Sequence, residues 1–299
     1  WNVSKALKGH WTRRDFLATG TTAVAGVVSA RRGASQGDAT AKRSRVVLVR
    51  RADAVDEEGG FHHLHEMLNE AMVALLETET PAAAWKKIVK TGDVVGIKSN
   101  VWRFLPTPPE LEEAIRAEVV AAGVTSEDVA VDDRGVRSNP VFGRATALIN
   151  VRPMRTHHWS GLGTCLKNLI MFVPRPPDYH ADACASLGAM WKLPEIAGKV
   201  RLNILVMLTP QLHSVGPHSF SKSFIWPYKG LVVGVDPVAV DATGARIIEA
   251  KRRLFFGEDR PLSPSPHHIA VADKQYGLGV SDPAQIDLVR LGWDEDTLI

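Results

Sequence analysis

Six short runs of β-branched and aliphatic residues recur along this chain: RVVLVRR (45–51), DVVGIKSN (93–100), DVAVDD (128–133), ALINVRP (147–153), LNILVML (202–208) and GLVVGVD (230–236). Runs of this length and composition read as buried strands. Between the first two, Phe61, Leu64, Leu68, Met72 and Leu75 recur at helical spacing. Further helices are expected at about 109–122, through 164–173, and along PVAVDATGARIIEAKRRLFF (237–256). Strands alternating with helices bury both faces of a sheet, so the expected fold is α/β, a single domain with a mostly parallel or mixed central sheet flanked by helices. With 299 residues, 45% of them hydrophobic, the chain can fill such a core. No internal repeat divides it, and residues 45–299 are assigned to the domain, with long functional loops at about 174–195 and 209–228.

The residues before the domain read differently. TRRDFLA (12–18) precedes TGTTAVAGVVSA, a weakly apolar stretch of small residues ending at Ala30. Positive charge, a short apolar run and a small-residue end make a secretory signal. Arg13 and Arg14 followed by Phe16 and Leu17 resemble the twin-arginine export signal. Residues 1–32 are therefore expected to be a twin-arginine signal, cleaved after Ala30 or kept as an N-terminal anchor, and 33–44, polar and small, a linker. That places the domain outside the cytoplasm, in the periplasm or on the outer face of the membrane, after passage through the twin-arginine translocation machinery.

Lys5, Lys8, Arg13 and Arg14 against Asp15 already account for the formal net charge of +3. The remainder is neutral, and nothing in it marks a nucleic-acid surface. Two cysteines, Cys165 and Cys184, are too few for an iron–sulfur cluster or a four-cysteine zinc site. In an oxidising compartment a disulfide between them is permitted.

Polar residues gather where the strands end. Lys98 and Asn100 close the second run, Asp132 and Asp133 the third, His157 and His158 follow the fourth, and Asp236 closes the last. Strand ends carry the ligand-binding loops of an α/β sheet, although a helix N-cap explains any single Asp or Asn there. A metal reading would use His157, His158 and His180, with Asp182 or His213 added; adjacent histidines point apart, so one of the first two, His157, would join His180, but neither H-x-x-x-H nor H-E-x-x-H is present. A nucleophile reading would use Cys165 with a neighbouring histidine; a small buried residue packing the first turn is the favoured alternative. Lys167, inside the otherwise apolar CLKNLIMFVP, requires an anion, a carboxylate or a solvated face. Anion binding by Lys98, Arg155 and Lys167 is one reading, and a solvated helix face is the other.

VGIKSN, RTHHWSGLGTCLKNLIMFVP, the Gly216-Pro217 pair, KGLVVGVDPVAVDATG and YGLGVSDPAQIDLV, in this order, resemble the family called domain of unknown function 362. The resemblance implies site positions at Lys98, Asn100, Thr156, His157, Lys167, Asn168, His180, Gly216, Pro217, Asp236 and Asp241. It also marks departures: Arg155 stands where the family has lysine, and Met207 and Leu208 where members often place an aspartate. Some members carry added iron–sulfur modules, which implies a redox setting, whereas none is expected within this chain. The expected function is thus an exported, redox-associated or small-anion-binding protein with His157 and Lys167 at its centre and Arg155 beside them. The alternatives are a non-catalytic accessory subunit of a membrane or redox assembly and, more remotely, a metal-dependent isomerase similar to lactate racemase.

Overall fold

The computed structural model describes residues 43–214 and 220–299. The expected signal, most of the expected linker, Gly216 and Pro217 lie outside the described residues, which fall within one compact unit, Ala41–Ile299. The strands are β1 (Ser44–Arg50), β2 (Val95–Lys98), β3 (Val129–Asp132), β4 (Ala147–His157), β5 (Gly161–Gly163), β6 (Val200–Gln211), β7 (Gly230–Gly234) and β8 (Ile286–Gly292). The helices are α1 (Leu64–Leu76), α2 (Pro81–Ile88), α3 (Pro109–Ala121), α4 (Pro140–Gly143), α5 (Cys165–Asn168), α6 (Ala181–Cys184), α7 (Leu187–Met190), α8 (Pro237–Phe256) and α9 (His268–Lys274). Among the described residues no helix is long and apolar enough to cross a membrane.

All eight strands join one mixed sheet in the order β3-β2-β4-β6-β7-β1-β8, with β5 paired on β4. Along that path only β7 runs antiparallel to its neighbours. The strand period of two sorts the side chains into two cores. Val47, Ile97, Ile149, Val151, Ile204 and Val233 face α1, α2 and α3. Val46, Leu148, Leu205 and Val232 face α8 and the segment around α5. On α1, Leu64, Met67, Leu68, Ala71, Met72 and Leu75 form the buried stripe. Each leucine and methionine of the stripe contributes roughly 1.5–3 kcal/mol by leaving water.

The run DPVAVD explains how α8 begins. Asp236 caps it, accepting from the amides of Val238 and Ala239 at 2.9 Å, and Pro237 takes the first-turn position where no amide is needed. Gly257, at φ 70°, ends it.

Three expectations are corrected here. The helix expected through 164–173 is one α-turn, Cys165–Asn168, followed by a 3-10 turn, Leu169–Phe172. With such short pieces its apolar residues fill the space between sheet and α8 instead of forming one long stripe. The last residue of the expected linker, Ser44, already belongs to β1. Because β7 is reversed, Asp236 leaves the sheet at the opposite end from Lys98 and Asp132, next to the start of β1, where Ser44 Oγ donates to it at 2.6 Å.

Candidate functional site

On the face covered by α8, a row of polar side chains crosses the apolar sheet. Lys98 pairs in register with Asn150, Asn150 with Asn203, and Asn203 with Gly234. Asn150 donates to Asn203 Oδ1 and to the Cys165 carbonyl, both at 3.0 Å, and Asn203 donates to the Val235 carbonyl. Asn168, at the end of α5, closes over the row: its amide reaches Asn150 Oδ1 at 2.9 Å and the carbonyls of Val151 and Lys98, while its oxygen accepts from Asn100 at 3.3 Å. A network satisfied at every member fixes the position of the α5 turn on the sheet.

Asp241 holds the other side of that turn. Fully buried on α8, it accepts from Thr164 Oγ1 and from the amides of Cys165 and Leu166, at 2.9 and 2.8 Å. Burial pushes its carboxyl up to about 7 against the pull of these donors. Asp241 thus positions the α5 turn.

Four cationic side chains surround this scaffold. Lys98 Nζ is ion-paired with Asp133, donates to the Ser99 carbonyl at 2.6 Å, and is pushed down to about 8 by burial despite its partner. Burial alone would raise the Asp133 carboxyl, but Lys98 holds it below the usual range. Lys167 is also at about 8, lowered by burial and, more weakly, by Arg152, with its ammonium 3.4 Å from Cys184 Sγ. Arg152 makes one long contact, 3.5 Å to the Thr164 carbonyl, and its Nε is buried without a partner. A Cβ on Gly163 would come within 2.5 Å of Arg152 Nη2, so only glycine leaves the guanidinium its place. Arg155 lies 4.1 Å over the Trp102 ring, and its Nε too is buried without a partner. Among the described residues no carboxylate lies within ion-pair distance of either arginine.

His157 Nδ1 accepts from the Trp159 amide at 3.3 Å, which leaves the ring proton on Nε2. Burial, then Lys167, Arg155 and Arg152, hold it far below the ordinary histidine range, so it is neutral. The rings lie in contact, His157 stacked on His158 at 5.0 Å, His158 tilted against Trp159 at 4.1 Å, and Trp159 stacked on His180 at 3.9 Å. His180 is lowered to about 4 by burial and by Lys167. Lys167 acts on both His157 and His180, and among the described residues no three metal-ligating side chains gather. Cys165 and Cys184 are both free and buried.

The family model described as Domain of unknown function (DUF362) matches residues 110–246. The match supports the DUF362 family. No curated protein and no solved structure matches the chain.

The DUF362 match takes in Asp133, Asn150, Arg152, Arg155, His157, Lys167, Asn168 and Asp241, while Lys98 and Asn100 precede it. Of the residues singled out in the sequence, the structure brings together Lys98, Asn100, Arg155, His157, Lys167 and Asn168; Thr156 lies beside them, donating to Ser214 Oγ at 3.2 Å. Asp236 is elsewhere, accepting from Val238, Ala239 and Val280. Met207 and Leu208 are core side chains of the two separate clusters and supply no carboxylate. Sequence reasoning missed Asn150, Arg152 and Asn203. Each is a polar residue inside an otherwise apolar strand, and that contrast was the available signal.

Proposed function

We propose that this protein binds a small anion, an oxyanion or a carboxylate, against Arg152, Arg155 and Lys167, with neutral His157 as a hydrogen-bond donor. The observation that carries the reading is the pair of buried, unpartnered guanidinium Nε groups of Arg152 and Arg155. Leaving a cation buried without a counter-charge costs several kcal/mol, roughly 3–5 where a partner has been removed, so the fold retains such groups at the expense of stability. An anion of fixed charge offsets that cost and accepts the free N–H groups. Asp133 acts on both arginines only from beyond ion-pair distance, because it is ion-paired with Lys98 and also accepts from the Val101 amide at 2.9 Å, and it leaves both Nε groups unpartnered. The twin-arginine pattern of residues 12–18 supports placing this binding outside the cytoplasm.

Sulfate tests the reading, since its charge is constant over the useful pH range. Calorimetric titration of the full chain at fixed ionic strength is expected to give one saturable site, weakened at least about tenfold by Arg155→Gln. The binding form of Lys167 is the ammonium, present below its value of about 8. Affinity is therefore expected to be level between about pH 6 and 7.5 and to fall by up to about tenfold per unit above 8. No saturable heat, or binding that Arg155→Gln leaves intact, would overturn the proposal.

A further inference from the structure

Lys167 meets a thiol where a buried ammonium ordinarily meets a carboxylate or carbonyls. Its Nζ lies 3.4 Å from Cys184 Sγ, both side chains are buried, and this is the one hydrogen bond the ammonium makes among the described residues. Lys98 and Lys274 have carboxylates within ion-pair distance, and Lys167 has none among the described residues. Cys184 sits in α6, in a small apolar cluster with Val173, Leu187 and Met190 that is separate from the two cores of the sheet. Burial raises its thiol, and Lys167, then Ser160, pull it back down. Burial lowers Lys167 to about 8 against the pull of Cys184, so much of its amine is neutral at that pH. Cys165 differs, because burial and the Asp241 carboxylate hold its thiol well above the ordinary range. The α6 helix is a single turn carrying exposed Ala181 and Asp182, and local opening of so short a piece admits a water-sized, uncharged oxidant.

We propose that Lys167 and Cys184 form a redox-sensitive cross-link, a sulfenamide bond between Nζ and Sγ, with hydrogen peroxide as the oxidant. In the first step the Cys184 proton passes to the Lys167 amine, and the thiolate attacks one peroxide oxygen. The O–O bond breaks, sulfenic acid forms, and the departing hydroxide takes the proton back as water. The neutral amine then attacks the sulfenic sulfur. An N–S bond forms, and the sulfenic oxygen leaves as a second water with one amine proton. Thiol, amine and peroxide thus give the sulfenamide and two waters; the sulfur gives up two electrons and the peroxide oxygens take them. A sulfenamide nitrogen is not basic, so the link removes the Lys167 charge. With the anion-binding reading above, on which this consequence rests, oxidation weakens the anion site and reduction restores it.

The test treats the full chain, purified reduced, with excess hydrogen peroxide near pH 8, and reads intact mass and peptide maps. The expected product is lighter by about 2 Da, as loss of two hydrogens requires, with the Lys167 and Cys184 peptides joined, and a dithiol reductant reverses it. Lys167→Arg and Cys184→Ala should each abolish the link. Cys165→Ala should keep it, which separates it from a Cys165–Cys184 disulfide of the same mass change. Sulfate affinity, measured by calorimetry, is expected to fall at least about tenfold in the cross-linked protein and to recover on reduction, while Cys184→Ala stays within about twofold across the same treatment. An unmodified Cys184, one carrying only added oxygen, or a disulfide in place of the link overturns the proposal. Equal sulfate affinity in the two forms overturns the control of the anion site. If the reduced protein does not bind sulfate, the anion reading fails, and the mass alone decides the cross-link.

Discussion

Replacing Asp241 with alanine is expected to lower the free energy of unfolding by about 3–5 kcal/mol, read as the shift in urea midpoint at constant slope. The carboxylate accepts from Thr164, Cys165 and Leu166, all buried, and no other acceptor is placed to take them over. Each orphaned donor costs roughly 1–3 kcal/mol. The loss also frees the α5 turn that carries Lys167 and Asn168, so sulfate binding should weaken with it. Asp241→Asn keeps one acceptor oxygen, and its smaller loss, about 1–2 kcal/mol, separates hydrogen bonding from volume. The raised value of about 7 has a sign that can be checked. A carboxyl raised above its unfolded value binds more protons when folded, so its contribution favours the native state below the unfolded value and is lost as pH rises through about 7. Asp241→Asn should flatten stability across that window.

The second large effect is expected at Asp133. Asp133→Ala takes the counter-charge from buried Lys98, which must then stay charged near Arg152 or give up its proton, at a cost of about 3–5 kcal/mol in the same assay. Lys98→Met alone strands the carboxylate in the same way. The double variant Lys98→Met with Asp133→Leu removes both charges and should be more stable than either single variant, because the desolvation of both groups is lost together with their attraction. A double variant as unstable as the sum of the singles would show that Lys98 and Asp133 do not act as a pair.

Much of this was legible in the sequence, and the parts that were not have physical reasons. The β-branched runs and the helical period of Leu64, Leu68, Met72 and Leu75 report burial directly, so the α/β sheet and its flanking helices follow from them. Lys98, Asn100, His157 and Lys167 were recognisable because they interrupt or terminate apolar segments, and Asn168 through the family resemblance. Strand direction carries no such local mark. GLVVG reads alike in either sense, so the reversal of β7, which takes Asp236 away from the site, emerges only from pairing with β1 and β6. β8 escaped notice because, as an edge strand, it is only half-buried and its apolar run is short. The structural duties of Asn150 and Asn203 depend on register across strands that lie some fifty residues apart in sequence. The shortness of α5 has a similar origin. Nothing within CLKNLIMFVP ends a helix before Pro174, but Asp241 and the asparagine row pin its first turn where a longer one does not fit.

The central claim is that Arg152 and Arg155 receive an anion rather than a protein carboxylate. Diffraction at the selenium absorption edge from crystals soaked in selenate tests it most directly. The expected result is an anomalous peak within hydrogen-bond reach, about 3 Å between oxygen and nitrogen, of the Nε groups of Arg152 or Arg155. Selenate bound only elsewhere, with both guanidinium groups left without it, would contradict the account.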